Sequence, residues 1–361
     1  MIPIYKPYLN NEILKYAHDA LDSGWISSIG KYKELASELL CESTGTKYSY
    51  LTCNGTVSCH LVSKVLQEFY PKKKKVIVPS NCYVAAWNGL LFDNPDSFDI
   101  IPVDADPDTW NMNLEGVSGD VFYIVHNLGN VINVPKLKRK YPDAVFVEDA
   151  CEALFGTYEN NLVGSASLCS AFSFFGNKNI SAGEGGAVVT NDTAVFEYVK
   201  HISEQAQTMD RFVHDGLGYN YRMSNVHAAL LYGQLKHADE IMEHKQRVFD
   251  LYDSELNGLN VKAQKREEDT NHACWLYGIK FENAEVKTRV ETYLKSSGVD
   301  TRPMFYPINK HDHLVGFDNY EVSACLSETS LLLPSYPELT KRDISGIVNL
   351  IKNLGDVNVY Y

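Results

Sequence analysis

Between residues 48 and 190 the chain repeats one unit, a short run of β-branched or aromatic residues followed by a stretch of helical periodicity. The runs fall at residues 48–52, 76–78, 100–103, 121–125, 145–147, 169–175 and 187–190. Most are apolar along their length, as strands are when both faces are buried, and most of the intervening stretches can hold the crossover helices that parallel strands require. The pattern predicts an α/β domain around a mostly parallel central sheet. Between the first two runs, Val57, Leu61, Val65 and Phe69 recur every four residues, marking the buried face of a helix that opens near Asn54.

With 361 residues the chain has room for about two domains. After Tyr221-Arg222-Met223-Ser224 a single long amphipathic segment is expected, using Val226, Leu230, Ala238, Ile241, Val248 and Leu251 and ended by Asn257-Gly258. Beyond it come a strand at residues 277–281, a helix holding Val286, Val290 and Leu294 that stops at Gly298, and a last helix opened by Thr340-Lys341-Arg342-Asp343. The expected division is a large α/β domain over 1–244, including the N-terminal segment, and a small C-terminal α+β domain over 245–361.

Charge and cysteines narrow the function classes. Lys and Arg number 33 and Asp and Glu 46, giving 33 − 46 = −13, a field that repels phosphate-rich polymers; no nucleic-acid partner is expected. No apolar run reaches the ~20 residues of a membrane span, and residues 1–7 lack the features of a signal peptide, so a cytoplasmic protein without a membrane partner is expected. The 8 Cys form no C-x-x-C pair and sit mostly in apolar runs, which reads as reduced core residues. Lys72 to Lys75 reads as a solvated connection, and His311-Asp312-His313 as a polar loop, so no metal site is expected.

Ligands of open α/β sheets gather at the carboxyl ends of the strands. Asn54-Gly55-Thr56 ends one strand and opens a helix, where free N–H groups would hold a phosphate. Glu148-Asp149 follows another strand, and an acid there needs a cationic partner. Ser173 and Lys178 flank Phe174-Phe175-Gly176-Asn177 just after an aromatic strand, where a desolvated lysine could act as an amine nucleophile. Gly183-Glu184-Gly185-Gly186 lacks the dinucleotide spacing and leads into a strand.

An acid at a strand end, a strand-to-helix phosphate cradle and a downstream lysine form the set that pyridoxal phosphate requires. Asn54-Gly55-Thr56, Glu148-Asp149-Ala150, Ser173 with Lys178, Gly183-Glu184-Gly185-Gly186 and Gly218-Tyr219-Asn220-Tyr221-Arg222-Met223 together resemble the DegT/StrS family of nucleotide-sugar aminotransferases, of fold type I. The likeness begins at Pro7-Tyr8 and Ser23-Gly24-Trp25-Ile26-Ser27, includes Pro79-Ser80 through Trp87, and returns at Arg302-Pro303-Met304-Phe305-Tyr306-Pro307 and Leu333-Pro334-Ser335-Tyr336-Pro337.

The resemblance implies that Lys178 forms the Schiff base with the cofactor and then shuttles a proton, and that Asp149 faces the pyridine nitrogen. Thr56, the backbone of Val57 and Ser173 would contact the phosphate, and Tyr83 would stack on the ring. Glu152 takes a place where many relatives carry Gln; a second acid beside Asp149 is expected to hold it protonated. The implied substrate is a nucleotide-linked keto-deoxy sugar with L-glutamate as donor. The run through Lys178 looks most like the branch that aminates carbon 4 of 4-keto-6-deoxy sugars, giving viosamine- or perosamine-type products. Amination of carbon 3 and a catalytically silent, regulatory cofactor-binding protein are the alternatives. A dehydratase branch carries His in place of the lysine, and Lys178 argues against it. Trp25, Arg222 and Arg302 are substrate candidates. The resemblance also implies a homodimer with shared active sites, in which Asn220 reaches the partner's cofactor phosphate.

Overall fold

The computed structural model describes residues 1–159 and 161–354. Seven strands form the central sheet: β1 (Tyr48–Thr52), β2 (Lys75–Pro79), β3 (Asp99–Val103), β4 (Val121–Val125), β5 (Val145–Asp149), β8 (Ser170–Ser173) and β9 (Gly186–Thr190). A small hairpin of β6 (Thr157–Tyr158) and β7 (Asn161–Leu162) lies between β5 and β8. The sheet order is β1-β9-β8-β5-β4-β2-β3. Every pair from β8 to β3 is parallel, while β9 runs antiparallel to both β8 and β1.

All five residues of β4 and of β5 are buried, the two acids that end β5 included. Successive side chains feed opposite cores: Phe122, Ile124 and Phe146 enter one, and Val121, Tyr123, Val145 and Val147 the other. The helix Gly55–Phe69 covers the second face with Cys59, Leu61, Val62, Val65 and Leu66.

The stretch read as one long helix is two, Asn225–Lys236 and Ala238–Leu256. His237 closes the first and opens the second, its imidazole 3.4 Å from Glu12 and 3.2 Å from Glu240. The second helix serves two cores in turn: Ala238 and Ile241 pack with the large sheet, and Val248, Phe249, Tyr252 and Leu256 with the C-terminal elements. The 244/245 boundary therefore falls inside a helix, at the point where its buried face changes partner.

In the C-terminal part, β10 (Lys262–Ala263), β12 (Tyr277–Lys280), β14 (Ser330–Leu333) and β13 (Arg302–Pro303) pair in that order, while β11 (Thr270–Asn271) joins the β6–β7 hairpin. The first residues of the chain lie on this part: Ile2 bridges Val299, and the Ser335 amide donates to the Ile4 carbonyl at 3.2 Å. No helix among the described residues is long and apolar enough to cross a membrane. All eight cysteines are free, yet they are not uniformly core: Cys325 is exposed and Cys41, Cys53 and Cys151 are half-buried.

Candidate active site

β5 ends in Glu148 and Asp149, and strand alternation sends these two acids to opposite faces. Glu148 is fully buried beside His126, whose Nε2 lies 2.9 Å away, and it accepts from Ser170 at 3.2 Å and Tyr158 at 3.3 Å. Because His126 Nδ1 accepts from the Ile132 amide, Nε2 carries the proton. Burial pushes the Glu148 carboxyl up, but the His126 contact, with the Ser167 and Ser170 hydroxyls, outweighs it and holds the group below its ordinary value. This acid is fully partnered and structural.

Asp149 differs. Its Oδ1 accepts from the Cys151 amide at 3.1 Å, and its Oδ2 lies 3.6 Å from the Cys59 thiol. Among the described residues no Lys, Arg or His pairs with it, although it is only 7% exposed. The two sulfurs and a carboxylate oxygen of Asp149 lie within 4.8 Å of one another. A buried carboxylate so placed calls for a cationic donor from a bound group.

Lys178 follows β8 in a loop pinched shut by Phe174 N–H to Gly185 O at 2.8 Å and Ala182 N–H to Phe174 O at 2.9 Å. Gly183 and Gly185 supply the left-handed backbone this loop needs, with φ of 82° and 141°. The Lys178 amine stands 3.8 Å from Glu152 Oε1 and 4.0 Å from the centroid of the Trp275 ring. Glu152 also accepts from the Leu128 amide at 2.8 Å. Burial raises its carboxyl to about 7, against the pull of Lys178, and Asp149 adds only a lesser push. The main cause of the rise is thus desolvation rather than the neighbouring acid.

At the amino end of the helix Gly55–Phe69, Asn54 caps the first turn by accepting from the Val57 amide at 3.1 Å. Val57, expected to face the phosphate, thus has its N–H engaged by the cap, and the earlier amides of Gly55 and Thr56 are the first-turn donors beside it. A Cβ on Gly55 would lie 2.7 Å from Ser173 Cβ and 2.9 Å from its Oγ; one on Gly186 would lie 2.5 Å from the Asn54 carbonyl. The turn is therefore pressed against β8 and β9, which brings Ser173 to the helix end. Tyr83 is 60% exposed, with Phe305 6.3 Å away between ring centroids.

Asn220 and Arg222 lie on a segment that pairs with the end of β1, through an Arg222–Thr52 bridge and a bond from the Cys53 amide to the Tyr221 carbonyl at 2.8 Å. Asn220 accepts from Arg222 Nε at 3.1 Å and Nη2 at 2.9 Å within one chain. Arg222 also lines a cavity of about 380 Å³ whose lining does not include Lys178. Arg302 bonds to Asp300 at 2.5 Å on the small sheet, and Trp25 is 59% exposed. No hydrogen bond, ion pair or ring contact among the described residues joins Arg302 or Trp25 to Lys178. Nor do His311 and His313 form a ligand set: His311 packs against Trp87, and His313 meets Asn88 at 2.7 Å. Conversely, Trp275, Cys59, Cys151 and His126 belong to the site or its support without any local motif to mark them.

An uncompensated buried carboxylate, a nearby lysine amine and a glycine-tight helix end fit pyridoxal phosphate. The profile of the DegT/DnrJ/EryC1/StrS aminotransferase family matches residues 7–352. The chain belongs to that family. It is a pyridoxal-phosphate-dependent sugar aminotransferase of fold type I, as the motifs implied. Two GDP-perosamine synthases are similar over almost their whole length: one from Escherichia coli O157:H7, 31% identical over 97% of each chain, and one from Vibrio cholerae, 32% identical over 98% of this chain and 99% of the relative. Among solved structures, Helicobacter pylori PseC, an aminotransferase of pseudoaminic acid biosynthesis, superposes with a TM-score of 0.89 at 23% identity over 98% of both chains. The E. coli GDP-4-keto-6-deoxy-D-mannose-3-dehydratase with bound hydrated cofactor shares the fold at TM-score 0.89 and 18% identity, over 97% of this chain and 99% of that one.

Proposed function

We propose that this family member moves the amino group of L-glutamate to carbon 4 of a nucleotide-linked 4-keto-6-deoxy sugar, giving a 4-amino-4,6-dideoxy sugar of the perosamine or viosamine type. One observation carries the reading: Lys178, Asp149 and Glu152 stand together at strand ends in a chain alike over its full length to two GDP-perosamine synthases. When bound, pyridoxal phosphate supplies the electron-withdrawing ring that makes the amine-bearing carbon acidic. Lys178 offers its amine as the nucleophile toward the aldehyde, and once released it takes and returns the proton at the substrate carbon. Asp149 keeps a proton on the ring nitrogen. Glu152, largely protonated below pH 7, donates toward the phenolic oxygen. The Gly55 and Thr56 amides and Ser173 Oγ would hold the phosphate, and Tyr83 would cover the ring.

The shared fold does not separate transfer from dehydration; the lysine at 178, where the dehydratase branch carries His, favours transfer. A homodimer with shared sites is part of the reading. Its support is ordered apolar surface: Trp25, Ile26 and Ile29 are each more than half exposed, on a segment fixed by Asn225 through a 2.6 Å bond to the Trp25 carbonyl. Met209, Phe212 and Leu217 are exposed too, beside the Asn220 segment.

The test is turnover of GDP-, dTDP- and UDP-linked 4-keto-6-deoxy sugars with glutamate, with the product's amino position read by NMR. A 4-amino product supports the reading. A 3-amino product overturns it in favour of the 3-keto alternative. Failure of glutamate to convert bound cofactor to its amine form points to the silent protein.

A further inference from the structure

Lys178 is bracketed from both sides by one short segment of the C-terminal part. The Trp275 Nε1–H donates to the carbonyl of Asn177 at 2.7 Å, and the Asn179 side-chain amide donates to the carbonyl of Ala273 at 2.5 Å. Between these two prongs the Trp275 ring presents its face to the Lys178 amine, 4.0 Å from the centroid. Trp275 is 5% exposed, so this contact lies out of bulk water.

The segment is held under backbone constraint. Cys274, between the two prongs, sits at φ 54° although it has a side chain, and Leu128 and Gly129 opposite are left-handed at 60° and 89°. Gly129 is there because a Cβ would come 2.8 Å from the Glu152 carbonyl and 3.3 Å from the Trp275 amide. Its own carbonyl accepts from the Ala273 amide at 2.8 Å. The turn that gives Glu152 its Leu128 donor therefore also braces the segment that holds Lys178.

Behind Trp275 stands Lys245, fully buried on the helix Ala238–Leu256. Its ammonium meets no carboxylate among the described residues. It donates to the Trp275 carbonyl at 2.7 Å and to the Ser335 carbonyl, and lies 4.9 Å from the Tyr5 ring centroid. A lone buried lysine is a costly way to fill a core, and here one of its bonds goes to the Trp275 carbonyl, on the segment that faces Lys178.

We infer that Trp275, braced from behind by Lys245, is a positioning residue that holds the Lys178 amine in place for bond formation with the cofactor aldehyde. The inference rests on the proposed role of Lys178. Bond formation joins the lysine nitrogen to the aldehyde carbon and releases the aldehyde oxygen as water. Trp275 enters no bond and acts only on where the amine waits.

The test compares two forms of the cofactor on apoprotein of wild type, Trp275→Phe, Trp275→Leu and Lys245→Met. Pyridoxal phosphate must bond to Lys178, whereas pyridoxamine phosphate fills the same site without that bond. Trp275→Leu is expected to slow the appearance of the visible pyridoxal band about 10²-fold, in line with displacement of a reacting group by about 1 Å, and to lower kcat similarly with little change in the glutamate KM. Its affinity for pyridoxamine phosphate stays within about twofold of wild type. Trp275→Phe, which keeps a ring face but loses the bond to Asn177, and Lys245→Met, which loses only the brace, fall between. Equal weakening toward both cofactor forms, or toward neither, overturns the inference, and the two milder variants carry the same comparison if Trp275→Leu does not fold. Borohydride trapping of wild type distinguishes the two levels: label on a lysine other than Lys178 overturns the site reading and this inference together, whereas label on Lys178 with unchanged variants overturns this inference alone.

Discussion

Asp149 keeps a carboxylate in the protein interior with one amide and one thiol within reach, and a charge so lightly supported gains most when a protonated ring nitrogen faces it. Asp149→Asn is expected to leave the circular dichroism spectrum unchanged and to lower kcat by ~10²-fold or more, the usual scale for losing one electrostatic stabiliser. Glu152 gives a pH signature. Its folded carboxyl titrates at about 7 against an ordinary value of 4.5, so between those values the folded protein holds a proton the unfolded chain has released. Apoprotein stability should therefore fall as pH rises from about 4.5 to 7, with no further loss from this group above. Glu152→Gln removes that slope, and melting curves of both proteins from pH 4.5 to 8 check it. Asp149 was legible because a polar residue closing an apolar run sits at a strand's carboxyl end, and Lys178 because of the motif that surrounds it. Trp275 was not, since only the folding of the C-terminal part carries it to Lys178.

The turn joining β1 to the helix Gly55–Phe69 shows what an element can demand of one residue. Any side chain at Gly55 meets Ser173 at under 3.0 Å, so the turn or the strand must give way. Gly55→Ala is expected to fold but to bind pyridoxal phosphate at least about tenfold more weakly, some 1.4 kcal/mol, measured by fluorescence titration of apoprotein. Each strand of the central sheet was legible as an apolar run, and the cap at Asn54 as a polar residue opening a periodic stretch. Direction was not: an apolar run reads the same both ways, so the antiparallel course of β9 had no signal. The break at His237 was hidden for a related reason, since periodicity records that a face is buried and not which of two cores buries it.

For the whole molecule, the proposed shared-site dimer makes a prediction that single-chain variants cannot. Lys178→Ala and Asn220→Asp are each expected to be nearly inactive, the latter because on this proposal it would set a carboxylate against the phosphate. After subunit exchange roughly half the dimers are mixed, each with one site carrying both lesions and one carrying neither, so activity should return to roughly one quarter of wild type. No recovery despite demonstrated exchange would place Asn220 in its own subunit's service. The sheet order also bears on how the protein is made. β1 is the first strand synthesised, yet among the described residues the strand it pairs with in the sheet is β9, and the floor under the Asn54 turn is Gly186 of that same late strand. At about 5–20 residues per second, the ribosome finishes β9 on the order of ten seconds after β1. If the Asn54 turn is the phosphate cradle proposed above, a nascent chain has until then no closed cradle, and cofactor capture is expected to follow completion of the sheet.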